Sequence, residues 1–191
     1  MKLEINSKAG IRKVLPKVAQ DLADNKIVGW FQNGSEFGPR ALGFRSILAN
    51  PAMPDVKKYI NEKIKHREWW RPYAPVIIDE EAAKWFDMKR SSPYMLFSAK
   101  ATEMCKEKAP GIVHEDGTAR IQTVCESDNR TLYVLLKMFF EKTDIPMLLN
   151  TSFNIDGEPI VETPSDAVKT FKKSNIDILV MGDIYVRKEG V

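Results

Sequence analysis

One stretch, Pro146-Met147-Leu148-Leu149-Asn150-Thr151-Ser152-Phe153-Asn154, changes from apolar to polar within a few residues. Its apolar first half predicts a buried β-strand. The polar half, which continues to Gly157-Glu158-Pro159, therefore begins at the carboxyl end of that strand. In α/β proteins ligands bind at the carboxyl ends of strands, so these amide and hydroxyl groups are candidates for ligand binding. The alternative is a simple turn around residues 154–157.

Strand-like and helix-like segments alternate along the rest of the chain. Runs of apolar residues predict five further strands, at 27–31, 74–78, 119–124, 176–181 and 184–186. Apolar residues that recur at i, i+3 and i+4 predict five helices, at 11–22, 54–64, 80–86, 132–139 and 164–171. Pro16 is expected to start or kink the first helix, Asp128 to cap the fourth, and Thr163 with Asp166 to cap the fifth. Residues 32–45 are expected to form a loop and residues 88–111 an irregular region. The alternation predicts a mixed α/β fold around one sheet, with residues 1–191 as a single domain.

The composition of the 191 residues excludes several classes of protein. Apolar residues make up 43% and the net charge is only +3, which excludes a disordered chain. Two cysteines are too few for a disulfide scaffold and predict free thiols in the cytoplasm. No apolar run approaches the roughly 20 residues of a membrane-spanning helix, so no membrane association is expected. The cysteines and the two histidines lack zinc-binding spacing, so no metal site is expected, and the common glycine-rich nucleotide fingerprints are absent.

A glycine-rich segment at residues 34–46 is the second candidate site. Its three glycines and one proline define a tight backbone path, which can turn N–H groups toward a ligand. Arg40 and Arg45 add positive charge to the segment. The alternative is an ordinary surface loop whose arginines pair with Glu36 or other acids.

Two further segments combine cations with other polar or aromatic groups. Residues 63–75 interleave cations with aromatic rings, a pattern that can bind phosphate and stack a base, although a basic helix end followed by core aromatics would look the same. In residues 114–124, Arg120 and Gln122 share one face of a predicted strand. That face indicates a polar cleft over the sheet, or alternatively the solvent side of an edge strand.

The four segments contain long motifs in a fixed order. They read Gly38-Pro39-Arg40-Ala41-Leu42-Gly43-x-Arg45-Ser46-Ile47-Leu48, Lys65-x-Arg67-Glu68-x-x-Arg71-Pro72, His114-x-Asp116-Gly117-Thr118-Ala119-Arg120-x-Gln122-Thr123-Val124 and Asn150-Thr151-Ser152-Phe153-Asn154-x-x-Gly157-Glu158-Pro159-Ile160-Val161. Through these motifs the chain resembles the C-terminal domain of the NodU-type O-carbamoyltransferases, over about residues 29–188.

This resemblance implies both a fold and an activity. The fold would be YrdC-like, a twisted, mixed parallel and antiparallel sheet with flanking helices and a basic, concave cleft. The activity would be the first half of a carbamoyl transfer: carbamoyl phosphate gives carbamate, which attacks the α-phosphate of ATP to form carbamoyl adenylate and pyrophosphate. In the family a separate N-terminal domain, which holds a metal, passes the carbamoyl group to an acceptor hydroxyl. That domain is missing from this chain, so an excised fragment or a partner chain that performs the transfer is expected.

The resemblance also implies roles for particular residues. Arg40 and Lys65 would bind carbamoyl phosphate and the ATP phosphates, and Arg120 would neutralise charge during the attack, which makes these three the catalytic candidates. The wider substrate-binding set would also contain Arg67, Arg71, Asn150 and Ser152, with the last two hydrogen-bonded to the phosphates or to the carbamoyl group. Mg²⁺ would enter with ATP, held mainly by phosphates and water, so no dedicated acidic ligands are needed.

Two other functions remain open at the level of sequence. One is an RNA-binding module, since YrdC-like domains also occur in tRNA-modification proteins and the segment at 63–75 could stack bases. The net charge of +3 disfavours nucleic acid as a partner. The other is a non-catalytic interaction domain, in which replacing Lys65 and Arg120 would leave function unchanged.

Overall fold

A nine-stranded sheet runs through residues 3–6 and 10–188, the part of the chain that the computed structural model describes. Its strands are β1 (Leu3–Asn6), β2 (Val28–Phe31), β3 (Arg45–Ala49), β4 (Ala74–Ile78), β5 (Phe97–Lys100), β6 (Thr118–Val124), β7 (Met147–Ser152), β8 (Ile178–Met181) and β9 (Ile184–Lys188). The spatial order is β1-β9-β8-β2-β3-β7-β4-β6-β5. Strands β2 and β8, and β4 and β6, pair in parallel, whereas the other neighbours are antiparallel. The predicted mixed sheet is therefore confirmed.

Helices connect most of the strands. They are α1 (Ile11–Ala23), α2 (Val56–Tyr59), α3 (Ala82–Trp85), α4 (Glu103–Lys108), α5 (Arg130–Thr143) and α6 (Pro164–Lys173), with a π-helix at Ile60–Ile64 directly after α2. Helix α1 begins at Ile11 and continues through Pro16, which therefore does not start it. The predicted capping box of Thr163 and Asp166 is present at α6.

The structure corrects several local predictions. Asn129, not Asp128, caps α5, because its side-chain oxygen accepts from the Leu132 N–H at 3.1 Å. The Asp128 carboxylate instead accepts from the Cys125 thiol at 2.9 Å. Strands β1 and β3 were not expected, and the region 88–111 contains β5 and α4 rather than irregular chain. Strand β5 is largely exposed, so it lacks the apolar pattern by which a buried strand is recognised.

The strand register places polar groups of two strands, β7 and β6, on one face of the sheet, with β4 between them. Asn150 of β7 pairs with Ala74 of β4, and Val76 of β4 pairs with Gln122 of β6. Directly paired side chains point to the same face, and so do residues two apart along one strand. Asn150, Gln122 and Arg120 therefore share a face, as the alternation in β6 predicted.

The apolar core fixes the carboxyl end of β7. Phe153, the residue after β7, is fully buried, and a side chain at Gly29 of β2 would come within 2.8 Å of its ring. Burying a phenylalanine contributes about 2–3 kcal/mol, and here it requires glycine at position 29. The polar residues on either side of Phe153 are thereby held at a defined place beside β2 and β3. None of the helices in the described part of the chain combines the length and apolarity needed to cross a membrane.

Candidate functional site

A cavity of about 140 Å³ lies between the end of β7 and the first residues of β4 and β6. Its volume corresponds to roughly five water molecules, the size of a phosphate group or a small acyl phosphate. The wall contains three arginines and no acidic residue, and consists of Pro39, Arg40, Ala41, Arg67, Pro72, Tyr73, Ala74, Met95, Arg120, Asn150, Thr151 and Ser152. Because three cations face one small space without a carboxylate, the cavity is suited to an anion.

Arg120 is a partly buried guanidinium whose charge the described protein does not compensate. Within residues 3–6 and 10–188 it makes no ion pair, and its buried Nε has no hydrogen-bond partner. Burial, and secondarily the charge of Arg40, lower the pKa of Arg120 from its ordinary value. An arginine stays protonated at any physiological pH, so the lowered pKa signals an unfavourable charge that an anion would relieve.

Arg67 is held toward the cavity by a buried amide. The Oδ1 of Asn61, in the π-helix, accepts from Arg67 Nε at 2.8 Å and from the Tyr73 hydroxyl at 2.6 Å. The Nδ2 of Asn61 donates to the backbone carbonyls of Trp69 and Arg71 at 2.9 and 3.0 Å. A single fully buried side chain thus fixes both the Arg67 guanidinium and the loop that follows it.

Asn150 is anchored to the glycine-rich loop by a second chain of amides. Its Nδ2 donates to the Ala41 carbonyl at 3.0 Å and to Gln122 Oε1 at 2.8 Å. Gln122 in turn donates from Nε2 to the Leu42 carbonyl at 2.9 Å. The Asn150 Oδ1 is buried and has no partner among the described residues.

Lys65 lies behind the cavity rather than in its wall. Its side chain is 3% exposed, and its ammonium donates to the backbone carbonyl of Ser152, to Ser152 Oγ at 3.2 Å and to Asn154 Oδ1 at 2.6 Å. Burial first, and then the nearby Arg67, lower the pKa of Lys65 to about 7. The three acceptors tie the end of the π-helix to the end of β7, so Lys65 supports the cavity wall at Ser152.

The remaining arginines of the motifs lie outside the cavity wall. Arg71 is half-exposed and pairs with Glu68 at 2.8 Å. Arg45 is buried, stacks on Phe31 and donates to the backbone carbonyls of Gln32 and Asn33. These contacts give Arg45 a structural role, but its partners are backbone carbonyls rather than the acids of the alternative interpretation.

The glycine-rich loop folds around an acid of its own. The Glu36 Oε1 accepts from the backbone N–H groups of Leu42, Phe44 and Arg45 at 2.6, 2.9 and 3.2 Å. Three of the N–H groups of this segment are therefore occupied by an internal carboxylate rather than turned toward a ligand. The loop supplies Arg40 and the wall residue Ala41 to the cavity rather than a ring of free N–H donors.

A larger groove of about 980 Å³ adjoins the cavity at Pro72, which lines both. Trp69 and Trp70 stand in its wall, 56% and 61% exposed. The charged groups around it are mixed: the wall includes Lys57, Lys58, Asp55, Glu115 and Asp116. An exposed aromatic pair beside a cationic cavity offers a surface for a flat ring.

Three amides that hold the site in place were not predicted in that role. Asn61, Gln122 and Asn154 make the contacts that orient Arg67, Asn150 and Lys65. From the sequence, Gln122 was expected only to face a polar cleft and Asn154 only to belong to a ligand-binding segment, and Asn61 was not singled out. Asn61 could have been noticed, because it lies beside Ile60 and three residues before Ile64 on the apolar edge of a predicted helix. A polar side chain on a buried face is normally there to bond other buried polar groups.

Residues 19–188 match the protein family described as "Carbamoyltransferase C-terminus". The chain is 42% identical over 178 residues both to the nodulation protein NolNO of Sinorhizobium fredii and to the nodulation protein NolO of Bradyrhizobium diazoefficiens. Each match covers 92% of this chain, but only 26% of NolNO and 32% of NolO. An uncharacterized protein of Methanocaldococcus jannaschii is 39% identical, with 91% of this chain and 29% of that protein covered. The chain thus spans about a third or less of these relatives' length.

Two solved structures share the fold. Full-length HypF, in a phosphate- and nucleotide-bound form, superposes with a TM-score of 0.59 at 19% identity, over 97% of this chain and 22% of HypF. Sua5 of P. abyssi, complexed with L-threonine, superposes with a TM-score of 0.61 at 15% identity, over 93% of this chain and 48% of Sua5. At such low identity the likeness establishes the fold alone, and it confirms the expected YrdC-like architecture.

Proposed function

Because the chain belongs to the carbamoyltransferase C-terminal family, we propose that it is the activation half of an O-carbamoyltransferase. Carbamoyl phosphate and water give carbamate and inorganic phosphate. A carbamate oxygen then attacks the α-phosphorus of ATP, the bond to the β-phosphate breaks, and carbamoyl adenylate and pyrophosphate are formed. This reaction sequence needs no nucleophilic side chain. The protein catalyses it by positioning the two substrates and by compensating the negative charge of their phosphates.

The observation that carries the proposal is the cluster of three arginines around a cavity without an acidic residue. Two polyanions must approach each other in this reaction, and fixed cations that are already free of carboxylate partners reduce their repulsion without reorganising. Arg40, Arg67 and Arg120 are so placed. A purely structural arginine would be expected to have found a partner within the protein, as Arg45 has.

The candidate residues then take distinct roles. Arg120 and Arg40 contact the phosphates, and Arg67 binds a further phosphate oxygen from the direction fixed by Asn61. Ser152 contributes to the wall while its hydroxyl donates to Asn154 Oδ1 at 2.8 Å, and Lys65 supports Ser152 from behind and supplies positive charge at short range. Arg71 contributes little to phosphate binding, because its guanidinium already pairs with the Glu68 carboxylate.

The nucleoside of ATP needs more room than the cavity offers. We place it in the adjoining groove, with the base against Trp69 or Trp70, and we expect Mg²⁺ to enter with ATP, held by its phosphates and water. Since both cysteines are free and ATP is the proposed substrate, we also place the protein in the cytoplasm.

The transfer step belongs to another part of the enzyme. The relatives are three to four times as long as the region they share with this chain, which leaves room for a transferase domain there. We propose that such a domain, in the same polypeptide or in a partner chain, receives carbamoyl adenylate and passes the carbamoyl group to an acceptor hydroxyl.

The test is pyrophosphate release from ATP, measured with and without carbamoyl phosphate. We expect release that depends on both substrates and is lost in Arg120→Ala. The matched control is Arg130→Ala, which removes an exposed arginine that pairs with Glu126 and does not line the cavity. If neither pyrophosphate release nor ATP binding is detected in the folded protein, the proposal is wrong.

RNA binding is the second candidate, favoured by the exposed tryptophans beside two lysines in the large groove. The acidic residues of the same wall weigh against a polyanionic partner. Salt dependence separates the two functions, because RNA binding weakens steeply as salt rises.

A further inference from the structure

Arg40 belongs to a short exposed arc of the glycine-rich loop, residues 37–40. All four residues of the arc are exposed, and the Phe37 side chain is not covered by any part of the described chain. Within residues 3–6 and 10–188, none of the four makes a hydrogen bond or an ion pair. The arc therefore has no polar contacts of its own that could hold Arg40 in one place.

Arg40 nevertheless lies close to a second guanidinium. Its charge is the second cause, after burial, of the lowered pKa of Arg120, and both arginines line the same cavity. Like charges repel, and the repulsion favours an outward movement of any exposed segment that is free to move. A contact outside the arc must therefore keep Arg40 at the cavity while no anion is bound.

Glu36, the residue directly before the arc, makes such a contact. Its Oε1 accepts from the backbone N–H groups of Leu42, Phe44 and Arg45 at 2.6, 2.9 and 3.2 Å. Leu42 lies two residues after Arg40, so the carboxylate joins the two ends of the arc. Hydrogen bonds to an ionised carboxylate are roughly twice as strong as those between neutral groups, which makes this closure firm.

The two ends of the arc depend on Glu36 to different degrees. The far end is fixed independently, because the Ala41 carbonyl accepts from Asn150. At the near end, the next contact before Glu36 among the described residues is an exposed bond from Ser35 Oγ to Glu162 Oε1 at 3.1 Å. An exposed bond of this kind competes with water and adds little. Without the Glu36 carboxylate the near end would be released.

We propose that Glu36 is a positioning residue that keeps Arg40 in the cavity wall, where Arg40 can bind a phosphate group. The inference rests on the proposed function, which supplies that phosphate. The two effects of Glu36 on an anion have opposite signs. Its negative charge disfavours an anion nearby, whereas its closure of the arc favours one by holding Arg40 in place. Removing the charge and removing the closure can therefore be told apart.

The first test measures binding of inorganic pyrophosphate to the full chain by titration calorimetry, without ATP. Arg40→Ala sets the scale and should bind at least roughly tenfold more weakly than wild type, as expected for the loss of one charge-assisted hydrogen bond. Glu36→Ala should also bind more weakly, by at least about threefold, although it removes a negative charge. Glu36→Gln loses the charge but keeps an oxygen acceptor, so it should retain more of the affinity than Glu36→Ala. The inference is wrong if Glu36→Ala binds as tightly as wild type, or if Glu36→Gln loses as much as Glu36→Ala.

The second test separates positioning of Arg40 from a general loosening of the fold. In the Arg40→Ala background, Glu36→Ala should no longer weaken pyrophosphate binding, because the side chain that it positions is absent. In the Arg120→Ala background, Glu36→Ala should still weaken binding by the same factor as in wild type. Equal losses in the two backgrounds would contradict a role through Arg40.

Gly38→Ala tests the same arc without any change of charge, and it remains available if Glu36→Ala does not fold. Gly38 has a φ of +132°, which a residue with a side chain rarely adopts, and an added Cβ would meet no other atom within 4 Å. The substitution therefore acts on the backbone path of the arc alone. It should weaken pyrophosphate binding in the wild-type background and leave it unchanged in the Arg40→Ala background. Wild-type affinity in Gly38→Ala would contradict the role of the arc.

These measurements fail separately from the proposed function. If the Glu36 variants behave as expected but ATP and carbamoyl phosphate give no pyrophosphate, Glu36 positions Arg40 and the adenylation step is wrong. If pyrophosphate is formed but Glu36→Ala binds it like wild type, the proposed function is retained and Glu36 is not its positioning residue. A folded wild-type chain that does not bind pyrophosphate would overturn the inference outright.

Discussion

At the scale of single residues, the cations of the site differ in how far the protein already satisfies them. Lys65 donates to three protein acceptors, and Arg67 is held by Asn61. Arg120 makes no ion pair within the described residues, and its Nε has no partner. A cation without internal partners retains its full capacity for a ligand, so Arg120 should contribute most directly to catalysis and Lys65 mostly through the wall it supports.

Replacing Arg120 should therefore lower the rate of pyrophosphate formation strongly. Arg120→Ala is expected to cost at least about 2 kcal/mol of transition-state stabilisation, or roughly thirtyfold in kcat/KM, similar to the loss of one oxyanion-stabilising donor. The fold should be unaffected, because the side chain makes no ion pair that would be broken. Steady-state kinetics alongside Arg130→Ala provide the check, and turnover near the wild-type value in Arg120→Ala would exclude the assignment.

Burial of Lys65 makes stability depend on pH in a predictable direction. Its pKa falls from 10.5 to about 7 on folding, so between those values the unfolded chain holds a proton that the folded chain does not. The cost of keeping this ammonium charged and buried is present in full below pH 7 and is relieved as the pH rises toward 10.5. Wild type should therefore gain stability relative to Lys65→Met between pH 7 and pH 9.5. Urea unfolding of both proteins at both pH values measures this difference, and a difference that stays constant would show that Lys65 keeps an ordinary pKa.

At the scale of elements, the π-helix gives the site its shape. The Lys65 N–H bonds the carbonyl of Ile60, five residues earlier, and His66 follows with a φ of +50°. This wider turn ends the helix where Lys65 can reach Ser152 while Asn61 reaches Arg67. π-Helical turns occur often at functional sites, and here the turn directs two side chains of one short segment to two sides of the cavity wall.

Asn61 should consequently be the most sensitive polar position of this element. Asn61→Leu leaves the Tyr73 hydroxyl, the Arg67 Nε and two backbone carbonyls without their partner, and we expect a loss of about 3 kcal/mol in unfolding free energy. Tyr73→Phe removes one of these bonds alone and should cost about 1 kcal/mol. Denaturant titrations of both variants give the comparison. A loss in Asn61→Leu no larger than that in Tyr73→Phe would mean that the network is not cooperative.

Elements with a strong apolar period were predictable from the sequence, whereas exposed ones were not. Helix α1 and the capping box of α6 follow from short-range patterns that the structure preserves. Strand β3 begins with Arg45 and Ser46, which are polar yet buried, so its start looks like a loop. Its place in the sheet depends on pairing with β7, about a hundred residues away, which no local pattern reports.

The candidate site was predictable in its charges but not in its geometry. The motifs pointed to Arg40, Arg67, Arg120, Asn150 and Ser152, which the fold brings to one cavity. They did not distinguish these from Arg71 and Lys65, which lie outside its wall, because exposure and hydrogen bonding depend on the three-dimensional packing. The role of Glu36 as an internal partner for the glycine-rich loop was also beyond sequence alone, since a carboxylate can pair with arginine or with N–H groups.

At the scale of the whole molecule, the cavity and the larger groove are neighbours, and Pro72 lines both. If ATP spans both, its base must approach Trp69 or Trp70 while its phosphates meet the arginines. ATP should then quench tryptophan fluorescence, and inorganic pyrophosphate should not. The effect should be weakened in Trp69→Leu or in Trp70→Leu, whose side chains are exposed and can be replaced at little cost to folding. Undiminished quenching in both variants would place the base elsewhere.

The ligand-free fold also carries an electrostatic cost that a ligand should remove. Three guanidinium groups line one cavity, and Lys65 adds a partly charged ammonium behind it, with no carboxylate in the wall to offset them. Like charges held together by the fold destabilise the folded state relative to the unfolded chain, in which they separate.

An anion that binds only the folded chain stabilises it by mass action, by about 2.7 kcal/mol at one hundred times its dissociation constant. Pyrophosphate should therefore raise the melting temperature well beyond the effect of sodium chloride at the same ionic strength, which only screens the charges. The double variant Arg40→Ala and Arg120→Ala should melt at least as high as wild type without ligand and gain little from pyrophosphate. If that variant melts lower than wild type without ligand, or if chloride stabilises wild type as much as pyrophosphate does, the arginine cluster is not an anion site kept unpaired at a cost to the fold.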